Sequence, residues 1–425
     1  MKSTLTVWML QTGEPLPGDT GTPRPMRAIN LAHALTAAGH RVVLWSSSFS
    51  HQDKRHRVTG SRRRQLSPLL ELRLIDSPGY RRNIGPGRLW DHAVMARNLA
   101  RELRAEACLP DVAFVGFPPI ETAAVMTRWL ARRSIPCLLD VKDQWPEIFV
   151  HALPVLVRPL GRVLLAPYFY FARRAMRDAT ALSAMADSFL EWATDFCGRP
   201  RRGSDRVVPL TAPQAHGTGD ALDAAARWWD DHGVLNDGTP RIMFVGSHSQ
   251  AFDMETVALA VAEMAEANLR CQFVLCGAGD CTAQWQSRMA GLNQVVFPGW
   301  IDQTKIQALA GRSLAALAPY RNSADFMMSI PNKVLDALAL GLPVLSPLRG
   351  EVEALIHMHG VGMVYGHVPG CSLRGCIDRL IGDRQLREQM SSRARHLYAE
   401  RFAFDKVYAG LVAALEALAD RRAVP

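Results

Sequence analysis

The stretch Ser329-Ile330-Pro331-Asn332-Lys333-Val334-Leu335-Asp336-Ala337-Leu338-Ala339-Leu340-Gly341-Leu342-Pro343-Val344 sets a cation and a carboxylate at the start of an apolar helix. It then closes that helix at a glycine and runs on into a buried strand. Glycine just past the last helical turn is the expected stop signal. A helix feeding directly into an apolar strand is one step of a parallel sheet covered by helices. Lys333 and Asp336, three residues apart, share one helical face. The helix N-terminus adds partial positive charge and unpaired N–H groups, so this corner suits an anion such as a nucleotide diphosphate.

The alternation extends in both directions. The first half reads as a strand at 4–10, a Gly/Pro-rich loop at 13–25, a helix at 26–38 capped by Gly39, and strands at 41–45, 111–115, 136–139 and 181–184. A basic stretch with Pro and Gly at 197–205 reads as a linker ahead of a strand-like run at 207–210. The pattern then restarts: strand 241–245, helix 254–267, strands 272–276, 295–297 and 314–318, and the opening helix with its strand at 343–346. The expected fold is α/β, with two Rossmann-like, doubly wound parallel-sheet domains at 1–205 and 206–400 facing across a cleft. A C-terminal helix at 401–425 is expected to be able to cross back to the first domain. Ligands would bind at the C-terminal ends of the strands.

A chain of 425 residues supports two such domains. Its 48% apolar and 21% charged residues fit a globular enzyme, and its net charge of +9 suits an anionic ligand or an anionic membrane surface. The basic residues are scattered without interleaved aromatics, which speaks against nucleic acid. Eight cysteines without a C-x-x-C pair argue against a zinc ribbon or a disulfide framework and for a reducing compartment. The run 1–10 reads as a strand rather than a signal peptide, giving cytoplasm as the expected location. Residues 148–173 are apolar but interrupted by Arg158 and Arg162, too short between charges to span a bilayer. They fit either a packed helix pair or a helix lying in a membrane interface.

The group Asp140-Val141-Lys142-Asp143-Gln144-Trp145-Pro146-Glu147 follows strand 136–139 and so falls at a strand's C-terminal end. A carboxylate there can orient or deprotonate a sugar hydroxyl, and Trp145 can stack on a sugar face. Asp143 ahead of Pro146 and Glu147 also reads as a helix start. In the loop at 13–27, glycines permit close backbone approach to a ligand, and Arg24 or Arg27 could meet a phosphate. Gly246, Gly277 and Gly279 stand at the matching turns of the second half. His51, His56 and His248 sit in loops without a partner at metal-ligand spacing and are expected to be solvated or capping. No D-x-D occurs, which removes the usual metal clamp on a nucleotide sugar; G-x-S-x-G and Walker loops are absent as well.

Taken in chain order, these segments resemble GT-B retaining glycosyltransferases of family 4, in particular the bacterial surface-polysaccharide branch typified by L-fucosamine transferases of O-antigen assembly. The specific segments are Asp140 to Glu147 and Pro331-Asn332-Lys333 to Pro343-Val344. Gly18 to Arg27, Gly39 to Val43, Pro110-Asp111-Val112, Phe244-Val245-Gly246 and Cys276-Gly277-Ala278-Gly279 accompany them. The resemblance implies a nucleotide diphosphate sugar donor, a UDP-sugar first, on the second half. Gly246, Ser247, Gly277, Gly279, Arg321, Ser329, Ile330 and Asn332 would bind it. It implies a lipid-linked saccharide acceptor on the first half, bound by Gly18, Thr20, Gly21, Arg27, Asp140, Lys142 and Trp145, with peripheral contact to an anionic inner membrane face. Asp143, Lys333 and Asp336 would carry catalysis, without metal. Asp336 matches the second acid of the family's E-x7-E motif, while Met328 stands at the first; Asp325 or the backbone N–H groups of 328–330 are the expected substitutes. Lys333 and Arg321 replace cations missing from 246–253. The alternatives are a nucleotide-binding partner subunit without catalysis and a nucleotide-sugar epimerase.

Overall fold

The computed structural model describes residues 4–19, 25–57, 62–82, 85–151, 153–211, 217–366 and 371–423. It divides into two compact units: Met1–Ala212 with Asp405–Pro425, and Pro213–Phe404.

The first unit is built on an eight-stranded sheet in the order Arg206–Val207, Ala181–Ala184, Cys137–Val141, Val112–Phe117, Thr6–Leu10, Arg41–Ser47, Leu70–Ile75, Arg63–Ser67. Every neighbour is parallel except Arg63–Ser67, which pairs antiparallel with Leu70–Ile75. Central strands such as Val112–Phe117 and Cys137–Val141 are buried along their whole length, which is why they read as unbroken apolar runs rather than alternating ones. Thr6–Leu10 lies between Arg41–Ser47 and Val112–Phe117, and strand order reverses there. That reversal opens a crevice at the C-terminal ends of these strands. Behind them Trp8 packs edge-on to Trp45 at 5.5 Å and stacks on Trp129 at 5.4 Å. The C-terminal helix Phe404–Ala423 joins this unit through Glu416, which meets the buried His40 ring at 3.1 Å.

Two expectations change. Residues 206–207 pair with Ala181–Ala184 and extend the first sheet, so 206–212 belong to the first unit instead of opening the second. The stretch 197–205 is not a loose tether: Arg199 makes two bonds to the Asp205 carboxylate, at 3.0 and 2.7 Å, and Arg202 donates to the Ala179 carbonyl. Arg199 is buried, while Arg201 and Arg202 stay exposed, Arg201 pairing with Asp187 at 2.9 Å. Residues 46–110 supply the strands Arg63–Ser67 and Leu70–Ile75 and, ahead of the strand at 112–117, the long helix Pro86–Ala105.

The second unit has a wholly parallel six-stranded sheet, ordered Val295–Val296, Gln272–Cys276, Arg241–Val245, Ala315–Leu317, Val344–Ser346, Gly362–Val364. Its order reverses between Arg241–Val245 and Ala315–Leu317. Helix Met254–Glu266 starts where the Asp253 side chain accepts the Thr256 amide. Helix Asn332–Ala339 buries Val334, Leu335, Ala337 and Leu338 and ends ahead of Gly341, whose φ of 69° only glycine adopts freely. The chain then enters Val344–Ser346, the helix-to-strand step read from the sequence.

Candidate functional site

In the second unit, the loops after Arg241–Val245, Gln272–Cys276 and Ala315–Leu317 and the first turn of Asn332–Ala339 come together at the reversal of strand order. The loops at 246–248 and 277–281 interlock. The His248 amide donates to the Ala278 carbonyl at 3.1 Å, and the Cys281 amide donates to the His248 carbonyl at 3.1 Å. A side chain at Gly277 would strike the Gly246 carbonyl, and one at Gly279 the His248 backbone. The close approach these glycines permit is thus to the neighbouring loop. His248, expected to be solvated or capping, is fully buried; its ring lies 4.3 Å from Trp285 and its Nδ1 3.1 Å from the Thr282 hydroxyl. Burial holds it below its ordinary pKa.

Lys333 is half-buried. Its ammonium donates to the Val245 carbonyl and lies 4.6 Å from the Phe244 ring centroid and 5.1 Å from that of Phe252. Those rings belong to an aromatic bed in which Phe252 contacts Tyr320 at 4.8 Å and Tyr320 contacts Phe326 at 4.7 Å. Burial lowers the Lys333 pKa to about 8, and the Asp336 charge pulls it the other way. Gly246 leaves room for this side chain, since a Cβ there would collide with Nζ. A cation parked on a carbonyl and two ring faces, in the first turn of a helix, can turn to a diphosphate without first breaking a charge pair.

The other donor-side candidates separate. Arg321 is exposed, with its Nε donating to the Gln250 carbonyl at 3.1 Å, and Ser247 and Asn332 are exposed too. Ser329 and Ile330 are buried, and both the amide and the hydroxyl of Ser329 donate to the Phe326 carbonyl. The Ser329 amide therefore cannot replace the missing first acid. Asp325 lies in the short helix Ala324–Met327, just ahead of Met328.

In the first unit a cavity of about 230 Å³ opens at the reversal point beside Thr6–Leu10, lined by Glu14, His51, Tyr80, Arg88, His92 and Asp143 among others. Three sequence candidates prove to be fold ties. Arg27 is buried, pairing with Asp140 at 3.0 Å and donating to the Val208 and Pro209 carbonyls at 2.8 and 3.2 Å. Asp140 also accepts the Ser183 hydroxyl at 2.8 Å. Neither charge is open to a ligand. Trp145, expected to stack on a sugar, is buried under the Arg88 guanidinium, 4.8 Å from its ring, and against Phe149 at 4.6 Å. Lys142 lines the cavity while paired with Glu14. Gly18 is exposed in a turn with φ 93°, where Asp19, held by Arg57, accepts the Leu16 amide. Thr20, Gly21 and Arg24 lie outside the described residues.

Sequence reading misses Glu14, Tyr80, Arg88 and His92, and expects His51 to be solvated or capping. His51 instead bonds the Tyr80 hydroxyl, and burial lowers its pKa to about 4. Burial likewise lowers His92 to about 3 and raises Glu121, 3.7 Å from its Nδ1, to about 7. At neutral pH the two imidazoles are uncharged, able both to donate and to accept. With Tyr80 and Asp143 they suit the hydroxyls of a sugar.

Residues 239–369 match the family model described as Glycosyl transferases group 1. No curated protein matches the sequence. Among solved structures, sucrose-phosphate synthase from Thermosynechococcus elongatus gives a TM-score of 0.69 at 13% identity, covering 98% of this chain and 100% of that one. HepE from Anabaena, solved with UDP and glucose, gives 0.65 at 12% identity, over 97% and 100%. WaaG, a glycosyltransferase involved in lipopolysaccharide biosynthesis, gives 0.64 at 14% identity, over 97% and 99%. The fold is GT-B. The match falls within the second unit and supports the enzyme class expected from the sequence, a glycosyltransferase.

Proposed function

We propose that the protein is a metal-independent retaining glycosyltransferase of the family 4 type, moving a sugar from a UDP-sugar to a lipid-linked saccharide during bacterial surface-polysaccharide assembly. The observation that carries this reading is the Lys333 ammonium at the start of Asn332–Ala339, beside the strand end at Val245. A departing diphosphate gathers negative charge, and a cation with helix amides aimed at it stabilises that charge selectively. Asp336 follows one turn later to hold the ribose or the sugar, and Asp143 in the first-unit cavity orients the acceptor hydroxyl. No protein nucleophile is required, because the leaving diphosphate oxygen takes the acceptor proton. HepE, solved with UDP and glucose, and WaaG, named for lipopolysaccharide biosynthesis, support the donor class and the pathway. The missing D-x-D supports independence from metal.

Incubating the protein with UDP-sugars and a lipid-linked saccharide, with and without EDTA, tests the reading. Product with the donor's anomeric configuration, formed equally in both, is expected. Inversion, or a strict need for a divalent cation, would refute it. Tight UDP binding without transfer to any acceptor would favour the partner-subunit reading, which the half-buried Met328 at the first acid's place keeps in view.

A further inference from the structure

Among the described residues no single helix is long and apolar enough to cross a membrane, but Val155–Leu164 and Ala166–Asp178 form an apolar pair bent by 67°. Its side chains are not folded away. Leu156 is 94% exposed, Val163 71% and Leu160 60%. Eight of the sixteen exposed large hydrophobic side chains among the described residues fall between positions 155 and 171. That concentration on one short stretch of chain is more than ordinary scatter.

Beside this ridge lies a cavity of about 740 Å³, lined by Arg162, Arg173, Arg174 and Arg177 with Phe169 and Tyr170. Arg174 holds Asp178 at 3.3 Å and the Tyr170 hydroxyl at 3.2 Å, and Arg177 donates to the Cys197 carbonyl. Arg173 rests over the Phe169 and Phe196 rings at 5.9 and 5.2 Å. Glu147, one of the two acids on the wall, accepts the Trp192 indole at 2.7 Å. From 147 to 178 the chain has five arginines against two acids, a net of +3 with His neutral.

We infer that this face docks on an anionic lipid bilayer, with Val155, Leu156, Leu160, Val163 and Leu164 entering the boundary between headgroups and acyl chains while the arginine-lined cavity receives a lipid phosphate. The inference rests on the lipid-linked acceptor proposed above. Guanidinium forks match phosphate oxygens in pairs, and an apolar insertion combined with a basic patch is the two-part signal that stable interfacial binding needs. The 67° bend, with Arg158 and Arg162 between the apolar residues, suits lying in the interface and not crossing it. A second copy is a poor occupant, because a two-fold contact would set one +3 face against another.

Flotation of the full chain with phosphatidylcholine vesicles, with and without phosphatidylglycerol, tests this. Binding at least about tenfold stronger to the anionic vesicles, weakening with salt, is expected. Leu156→Ser with Leu160→Ser should abolish flotation. Arg162→Glu with Arg173→Glu should remove the preference for phosphatidylglycerol. All of these positions lie on the surface, and an unchanged UDP-induced thermal shift would show that the variants are folded. The inference is overturned if wild-type protein does not float, if either double variant floats as wild type, or if inorganic phosphate erases the lipid preference. It is also overturned if the apolar variant dissolves a dimer while vesicles go unbound. Vesicle binding without any response to UDP would instead count against the transferase reading alone.

Discussion

The strand ends of the two units hold similar charges and use them differently. In the first unit, Arg27 meets Asp140, Arg57 meets Asp19 and Lys142 meets Glu14, all largely buried. In the second, Lys333 meets a carbonyl and two aromatic faces. The first unit thus ties Arg27, Arg57 and Lys142 to carboxylates, and its cavity sets hydroxyl, imidazole and carboxyl groups beside the Arg88 guanidinium. The second holds a cation at a helix N-terminus, pre-placed for an anion. A saccharide on the first and a diphosphate on the second is the division of labour this contrast predicts.

The largest expected effect would break the first half of the contrast. Asp140→Ala leaves Arg27 buried without its carboxylate, and breaking a buried pair from one side costs about 3–5 kcal/mol. Urea unfolding should show that loss, whereas replacing both partners by apolar residues should recover most of it. If Asp140→Ala unfolds like wild type and instead weakens acceptor binding, the pair is part of the binding site after all.

Lys333→Ala addresses the other half. Removing a donor from a developing charge costs on the order of 3 kcal/mol, or more than a hundredfold in transfer rate. Initial-rate assays should show this fall with little change in thermal midpoint. Near-normal turnover would end the assignment of Lys333 as the diphosphate cation.

Gly277→Ala ranks next, at about 1–3 kcal/mol of stability. Its φ of 120° is unfavourable for alanine, and the added methyl would meet the Gly246 carbonyl, which is backbone and cannot swing away. Gly246→Ala, at a φ of 150°, strains the backbone as well, but the atom its methyl strikes is the far end of Lys333, so it adds a loss of ligand binding. Thermal denaturation should find Gly277→Ala impaired in folding, and UDP titration should find Gly246→Ala impaired in binding. Equal behaviour of the two would dissolve the distinction between interlocking and ligand-facing glycines.

These contrasts also show what the sequence could reveal. The parallel strands were legible because burial on both faces writes them as apolar runs, as in Val112–Phe117. Lys333 was legible because a charge in the first turn of an otherwise apolar helix stands out. The ties were not: Arg27 and Asp140 are 113 positions apart, and nothing local distinguishes a cation that will be paired from one that will be offered. The surroundings of Trp145 are no more local, since the Arg88 guanidinium over its ring comes from a distant helix. His92 and Arg88 lie on Pro86–Ala105, a helix whose mixed polar and apolar residues give only weak periodicity.

The smallest effect is a pH dependence, and it separates the two units most sharply. Burial holds Lys333 at about 8 in the free protein against 10.5 in an unfolded chain. Between those values the unfolded state binds more protons, so this residue's burial penalty fades, and stability rises, as pH climbs from about 8 to 10.5. A bound diphosphate favours the charged form, so binding UDP in that window takes up a proton. UDP affinity should therefore hold below pH ~8 and fall by up to roughly tenfold per unit above it. Calorimetry near pH ~9 in two buffers of different ionisation enthalpy would count the proton. Uptake that disappears in Lys333→Gln assigns it to this ammonium; uptake that persists there would place the titrating group elsewhere and remove the electrostatic basis for treating the second unit's cation as the one held for the ligand.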